Sequence, residues 1–103
     1  MRRRYLALKI EAVQEIDEKE IKNTVWNAAL RLFGEYGASK MGLFFVSYDA
    51  TKSYAVLRCT NAALDMVRAS LASITEISLK PAAIHLLGIS GTLKSLREKF
   101  PPE

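Results

Sequence analysis

The sequence holds one cysteine, Cys59, and one histidine, His85. A lone thiol forms no internal disulfide, which fits a reducing compartment. One Cys and one His do not make a Cys/His metal site, and no acidic cluster offers a carboxylate site, so no metal and no bound cofactor are expected. Long apolar runs are also missing, and none approaches the ~20 residues that span a bilayer. Only Tyr5-Leu6-Ala7-Leu8 separates Arg2-Arg3-Arg4 from Lys9, too little for the apolar region of a signal peptide. A cytoplasmic protein with no membrane partner is the expectation. No nucleophile–base pair and no paired carboxylates stand out, so no catalytic residue is assigned. Linkers, repeats and low-complexity stretches are absent as well, and residues 1–103 read as one domain.

What is present is an ordinary globular composition. Hydrophobic residues make up 50% and charged residues 25% of 103 residues, enough to bury a core. Arg2, Arg3 and Arg4 together carry three of the four net positive charges, so the basicity is local. A basic arm suits phosphate contact through counterion release. A solvated, idle start to the chain fits the same charges.

Periodicity gives the elements. Residues 4–12 alternate, with Leu6, Leu8 and Ile10 on one face and Tyr5, Ala7, Lys9 and Glu11 on the other, as in a half-buried strand. Asp17 with Glu20 forms a capping-box pattern that opens a helix, and Gly34 or Gly37 is expected to end it. Met41–Tyr48 and Ser53–Thr60 read as strands joined by the tight turn Asp49-Ala50-Thr51-Lys52. Asn61 is expected to cap a second helix bearing Leu64, Val67, Leu71 and Ile74. Pro81 opens an extended run over 82–90, and a short helix from Thr92 carries Leu93, Leu96 and Phe100 on one face. The order predicts an α+β fold of the ferredoxin-like, RRM-like βαββαβ kind with an additional C-terminal helix. Both main helices then cover one sheet face and leave the other open to a partner.

RNA-recognition modules of this topology stack bases on aromatics of the two central strands. Lys52-Ser53-Tyr54-Ala55-Val56-Leu57-Arg58-Cys59 matches their third-strand pattern in part, with Ser53 in place of glycine and Val56 and Cys59 in place of aromatics. Antiparallel pairing puts Tyr5 near Arg58, and Tyr54 near Lys9 or Glu11. The two tyrosines therefore sit at opposite ends and cannot clamp adjacent bases, so covering the sheet or packing on the last helix is the favoured reading over base stacking. Candidate RNA contacts are Arg2, Arg3, Arg4, Tyr5, Lys9, Lys52, Tyr54 and Arg58, with Lys94, Arg97 and Lys99 on the last helix. Phe44 and Phe45 are adjacent and must point to opposite faces, as must Leu43 and Val46 relative to their neighbours. This makes Leu43, Phe44, Phe45 and Val46 a candidate protein interface. Cys59 reads as a small core residue and His85 as a structural histidine. Ser90-Gly91-Thr92 reads as a helix cap or an anion site. Two other classes share parts of this pattern. An oligomerising, ligand-sensing ferredoxin-like module explains the open sheet but not Arg2–Arg4. An acylphosphatase-like hydrolase needs an Arg-bearing loop after the first strand, and residues 12–17 hold neither Arg nor Gly.

Arg4-Tyr5-Leu6, Leu32-Phe33-Gly34-Glu35-Tyr36-Gly37, Tyr48-Asp49 with Thr51, Tyr54 through Arg58-Cys59, and Ser90-Gly91-Thr92 resemble, in order and spacing, segments of the archaeal ribonuclease P protein component 2 family. That resemblance runs over nearly the whole chain. It implies a ferredoxin-like subunit that binds and stabilises ribonuclease P RNA, together with the barrel-shaped protein component 3 and other protein subunits. It also implies that the RNA, with magnesium, removes the 5′ leader of precursor tRNA. A homodimer is a further possibility. Some members carry an extension beyond the point corresponding to Phe100, and its role is not transferred to this chain.

Overall fold

A computed structural model of the chain describes residues 2–102. Strand β1 spans Arg3–Ala12 and helix α1 Glu18–Ser39. Strands β2 (Phe44–Asp49) and β3 (Tyr54–Thr60) form a hairpin. Helix α2 covers Leu64–Ala72, strands β4 (Glu76–Ile77) and β5 (Lys80–Ser90) follow, and helix α3 is Leu93–Lys99. The sheet runs β2-β3-β1-β5-β4. Strand β1 pairs antiparallel with both β3 and β5. This is the split βαβ arrangement expected, extended at one edge by the two residues of β4, which are too few to leave a period in the sequence.

The inner face is the main core. Leu6, Leu8 and Ile10 of β1 meet Ala55, Leu57 and Cys59 of β3 and Ile84 of β5, under Ile21, Val25 and Ala28 of α1 and Val67 and Leu71 of α2. The capping box is complete: Asp17 Oδ1 accepts from the Glu20 amide at 2.8 Å, and Glu20 Oε1 accepts from the Asp17 amide at 3.1 Å. In the β2–β3 turn Asp49 accepts from the amide and the hydroxyl of Thr51, at 3.0 and 2.6 Å. These bonds hold its carboxyl below the usual range.

Several expectations are corrected. Gly34 ends the first helical stretch of α1 at φ 71°, as expected, but a second stretch runs on past Gly37 to Ser39, with Ala38 buried. Strand β2 begins at Phe44 rather than Met41. Met41 is fully buried before it, its carbonyl accepting from the Thr60 amide at 2.9 Å. Asn61 caps nothing. It starts a single 3-10 turn, Asn61–Ala63, and its side-chain oxygen accepts from Arg4 Nε at 2.8 Å. His85 is exposed on the outer face, with Nε2 3.7 Å from a Glu11 carboxylate oxygen, and is not a core residue.

The outer face is not left open, and the packing of Tyr5 and Tyr54 against the last helix is the reading realised. Helix α3 lies across it and builds a second cluster of Ala7, Tyr54, Val56 and Leu96, flanked by Tyr5, Val46, Leu93 and Phe100. The Tyr54 hydroxyl donates to the Phe100 carbonyl at 2.7 Å. Phe100 lies so close to Gly88 that a Cβ there would come within 2.2 Å of its ring. Gly88→Ala should therefore displace Phe100 and loosen α3, costing ~1–3 kcal/mol. Urea unfolding of wild type and variant measures this, and equal stability would show that the ring does not need the glycine.

Candidate nucleic-acid interface

Strand β1 distributes the basic residues. Arg3, Tyr5 and Lys9 share its outer face, so Arg3 and Lys9 stand about 20 Å apart along the strand at the usual rise per residue. Two basic ends result. At one, Arg2 and Arg3 are exposed, and Tyr5 pairs with Arg58 on β3 and Ser90 on β5. The Arg58 guanidinium lies 4.6 Å from the centre of the Phe44 ring, a cation–π contact at a half-exposed site. The arginine arm is not free. Arg3 and Arg4 are β1 residues paired with Thr60 and Cys59, the Arg2 carbonyl accepts from the Asn61 amide at 2.9 Å, and Arg4 is tied to Asn61. Arg2 and Arg3 keep exposed side chains; Arg4 is half-buried.

The other end is a cleft of about 310 Å³ lined by Lys9, Lys52, Tyr54, Leu87, Lys99, Phe100 and Pro101. Lys9 pairs with Tyr54 in register, and its ammonium donates to the Lys52 carbonyl at 2.8 Å. Close contacts between basic and acidic side chains join Lys80 to Glu20 and His85 to Glu11 among the described residues; the three cleft lysines take part in neither. Tyr54 is only 5% exposed, so its ring forms a floor and is unavailable as a stacking platform. Burial pushes its phenol above the usual value and keeps it a neutral donor to Phe100. Arg97 lies beside the cleft in a second hollow with Asp49, Tyr54 and Pro102, while Lys94 is exposed on the first turn of α3 and lines neither hollow.

Sequence reasoning missed Leu87 and the wall made by Phe100 and Pro101. Opposite β1, Ala7 pairs with Gly88 and Leu8 with Leu86, which leaves Leu87 as the extra residue of a β-bulge. The signal was present as Leu86-Leu87-Gly88, two adjacent leucines and a glycine inside a strand.

The predicted protein interface separates into layers. Leu43 and Phe45 pack against the main core, and Val46, in a bulge of β2, packs under α3. Only Phe44 remains outside, at 53% exposure. It lines a hollow with Lys22, Trp26, Leu43 and Phe45 where edge strand β2 meets α1.

Cys59 is fully buried, and burial pushes its thiol up to about 11, so it is no nucleophile. A raised thiol pKa stabilises the fold fully below pH 9 and loses that contribution as pH rises toward 11. A thiol reagent at pH 8 should label Cys59 only in denaturant, with rapid native labelling as the contrary result.

Residues 4–101 match the model of the Rpp14/Pop5 family. Ribonuclease P protein component 2 of Pyrococcus furiosus is 35% identical over 99 residues, covering 96% of this chain and 82% of that protein. The protein of the same name from Methanocaldococcus jannaschii is 39% identical over 99 residues, covering 96% and 72%. That from Methanobrevibacter smithii is 37% identical over 102 residues, covering 92% and 85%. A chain in the cryo-EM structure of yeast ribonuclease MRP has the same fold, with a TM-score of 0.74 at 18% identity over 95% of this chain and 90% of that one. A match over nearly the full length, with an independently similar fold, makes this chain a member of the Rpp14/Pop5 family.

Proposed function

We propose that this chain is a protein subunit of ribonuclease P, binding and stabilising the RNA that removes the 5′ leader from precursor tRNA. The observation that carries this reading is full-length similarity, at 35% and 39% identity, to proteins named ribonuclease P protein component 2. The surface supports it: basic groups stand at both ends of the outer face around a filled centre. Among the described residues no group of acidic, His or Cys side chains is arranged to hold a metal ion. Magnesium and the hydrolytic step are assigned in this proposal to the RNA. No helix among the described residues is long and apolar enough to cross a membrane.

The RNA role rests on charge that phosphate can reach. Arg2 and Arg3 are its clearest carriers at the first end, because Arg4 is engaged with Asn61 and Arg58 with Phe44. Arg2→Ala/Arg3→Ala should weaken binding to ribonuclease P RNA and flatten the salt dependence by up to ~0.9 per lost phosphate contact. Affinity across a salt series measures both, with the same protein assayed without RNA subunit for precursor-tRNA cleavage, where none is expected. Unchanged affinity and slope would remove this end from the RNA contact. Specific cleavage at the mature 5′ end without RNA subunit would refute the assignment of chemistry to the RNA.

Protein component 3, or a second copy of this chain, is proposed to dock on the Phe44–Trp26 hollow. Aromatics exposed beside a sheet edge are typical anchors of assembly. Phe44→Asp should weaken association with component 3, or self-association, at least tenfold, which is about 1.4 kcal/mol. Sedimentation of the chain alone and with component 3 reports it. Identical behaviour of the variant, or a strict monomer that ignores component 3, rules this surface out.

A further inference from the structure

The cleft at the hairpin end is built by specific features, and each has an alternative that the sequence did not take. Across the bulge Leu87 and Gly88 both stand on the outer side, between the core-facing Leu86 and Ile89, and Leu87 is 42% exposed. Gly88 lets Phe100 lie flat on the strand. The Tyr54 hydroxyl pins the Phe100 carbonyl, so the end of α3 and Pro101 stand as a wall beside Leu87. Lys9, Lys52 and Lys99 line the same cleft as that apolar wall. Lys9 is further held by the Lys52 carbonyl, which leaves its remaining protons free to donate. Asp49 is a carboxylate near Lys52, and it is already engaged by Thr51.

Lysines alone would accept any polyanion. Here they converge on a hollow of about 310 Å³, at the lower end of ligand-pocket sizes, with one apolar side. A duplex presents phosphates on a convex surface and keeps its base faces stacked, so it can use the lysines but not the wall. An acidic peptide satisfies the ammonium groups and also leaves the wall empty. An unstacked nucleotide uses both, since its base has an apolar face and its phosphate a charge. We infer that this cleft holds one unpaired nucleotide of single-stranded RNA, its phosphate between Lys9, Lys52 and Lys99 and its base against Leu87, Phe100 and Pro101. The inference rests on the ribonucleoprotein reading above and adds to it a single-strand preference at a defined end of the outer face.

The test is titration of the isotope-labelled full chain with a short oligouridylate, an RNA duplex of equal length and an oligoglutamate peptide, followed by amide chemical shifts. The oligouridylate should move the amides of Lys52, Leu87, Gly88 and Phe100 and bind about tenfold more tightly than the duplex, whose base faces stay stacked. Lys52→Gln/Lys99→Gln should weaken it about tenfold and reduce the salt slope by up to ~0.7 per lost contact. Because the variant can misfold, wild-type protein is also photocrosslinked to a thiouridine-substituted oligonucleotide, and the crosslink is expected at Leu87, Phe100 or Pro101. Shifts confined to the Arg3–Arg58 end, or a crosslink elsewhere, overturn the inference. Equal binding by duplex overturns the single-strand preference, and equal binding of oligoglutamate at the same amides assigns the cleft to an acidic protein instead. If the oligonucleotide bypasses the cleft while ribonuclease P RNA still binds, only the cleft assignment falls. If the cleft takes the oligonucleotide but ribonuclease P RNA is not bound, the ribonuclease P reading falls and the cleft remains.

Discussion

Tyr54 reaches from the middle strands to the carbonyl of Phe100, and the ring of Phe100 rests on the bare backbone of Gly88. These two contacts seat α3 on the outer face, and most surface properties of the molecule follow from that seating. Ala7 and Val56 become core residues although they point away from α1 and α2. A sheet that would otherwise offer an aromatic platform acquires a second hydrophobic layer. The centre of the face is packed, and charged side chains stand around it at the margins.

Much of this arrangement was legible. Alternation along β1 and β3 gave the correct facing residues, and the register places Tyr5 opposite Arg58 as expected and Tyr54 opposite Lys9, one of the two positions expected. The capping box at Asp17 and the Asp49–Thr51 turn were legible because their chemistry is local. Illegible features have a common cause, in that distant packing decided between local options. Gly34 stops the first helical stretch as expected, but nothing local announces the second stretch to Ser39, which buries Ala38. Asn61 can cap a helix or accept from a guanidinium, and Arg4 on a neighbouring strand selected the second. Three arginines in a row look like a tail, but ladder bonding with β3 draws Arg3 and Arg4 into the sheet.

The bulges account for the rest of the site. Period-two reasoning assumes a constant phase, and one extra residue reverses which face every later side chain takes. Leu87 and Val46 are such residues, one exposed toward the cleft and one tucked beneath α3. Pairs of adjacent apolar residues, Leu86-Leu87 and Phe45-Val46, mark both positions in the sequence.

The bulge in β2 has a consequence for the behaviour of the free subunit. Strand β2 is an outermost strand of the sheet, and an outermost strand presents unpaired amides and carbonyls that invite another chain to add itself without limit. A bulge at Val46 kinks and twists that row, so a stranger's backbone does not align along its length. The molecule thereby exposes an apolar aromatic, Phe44, at its edge while guarding the backbone next to it from fibril-like stacking.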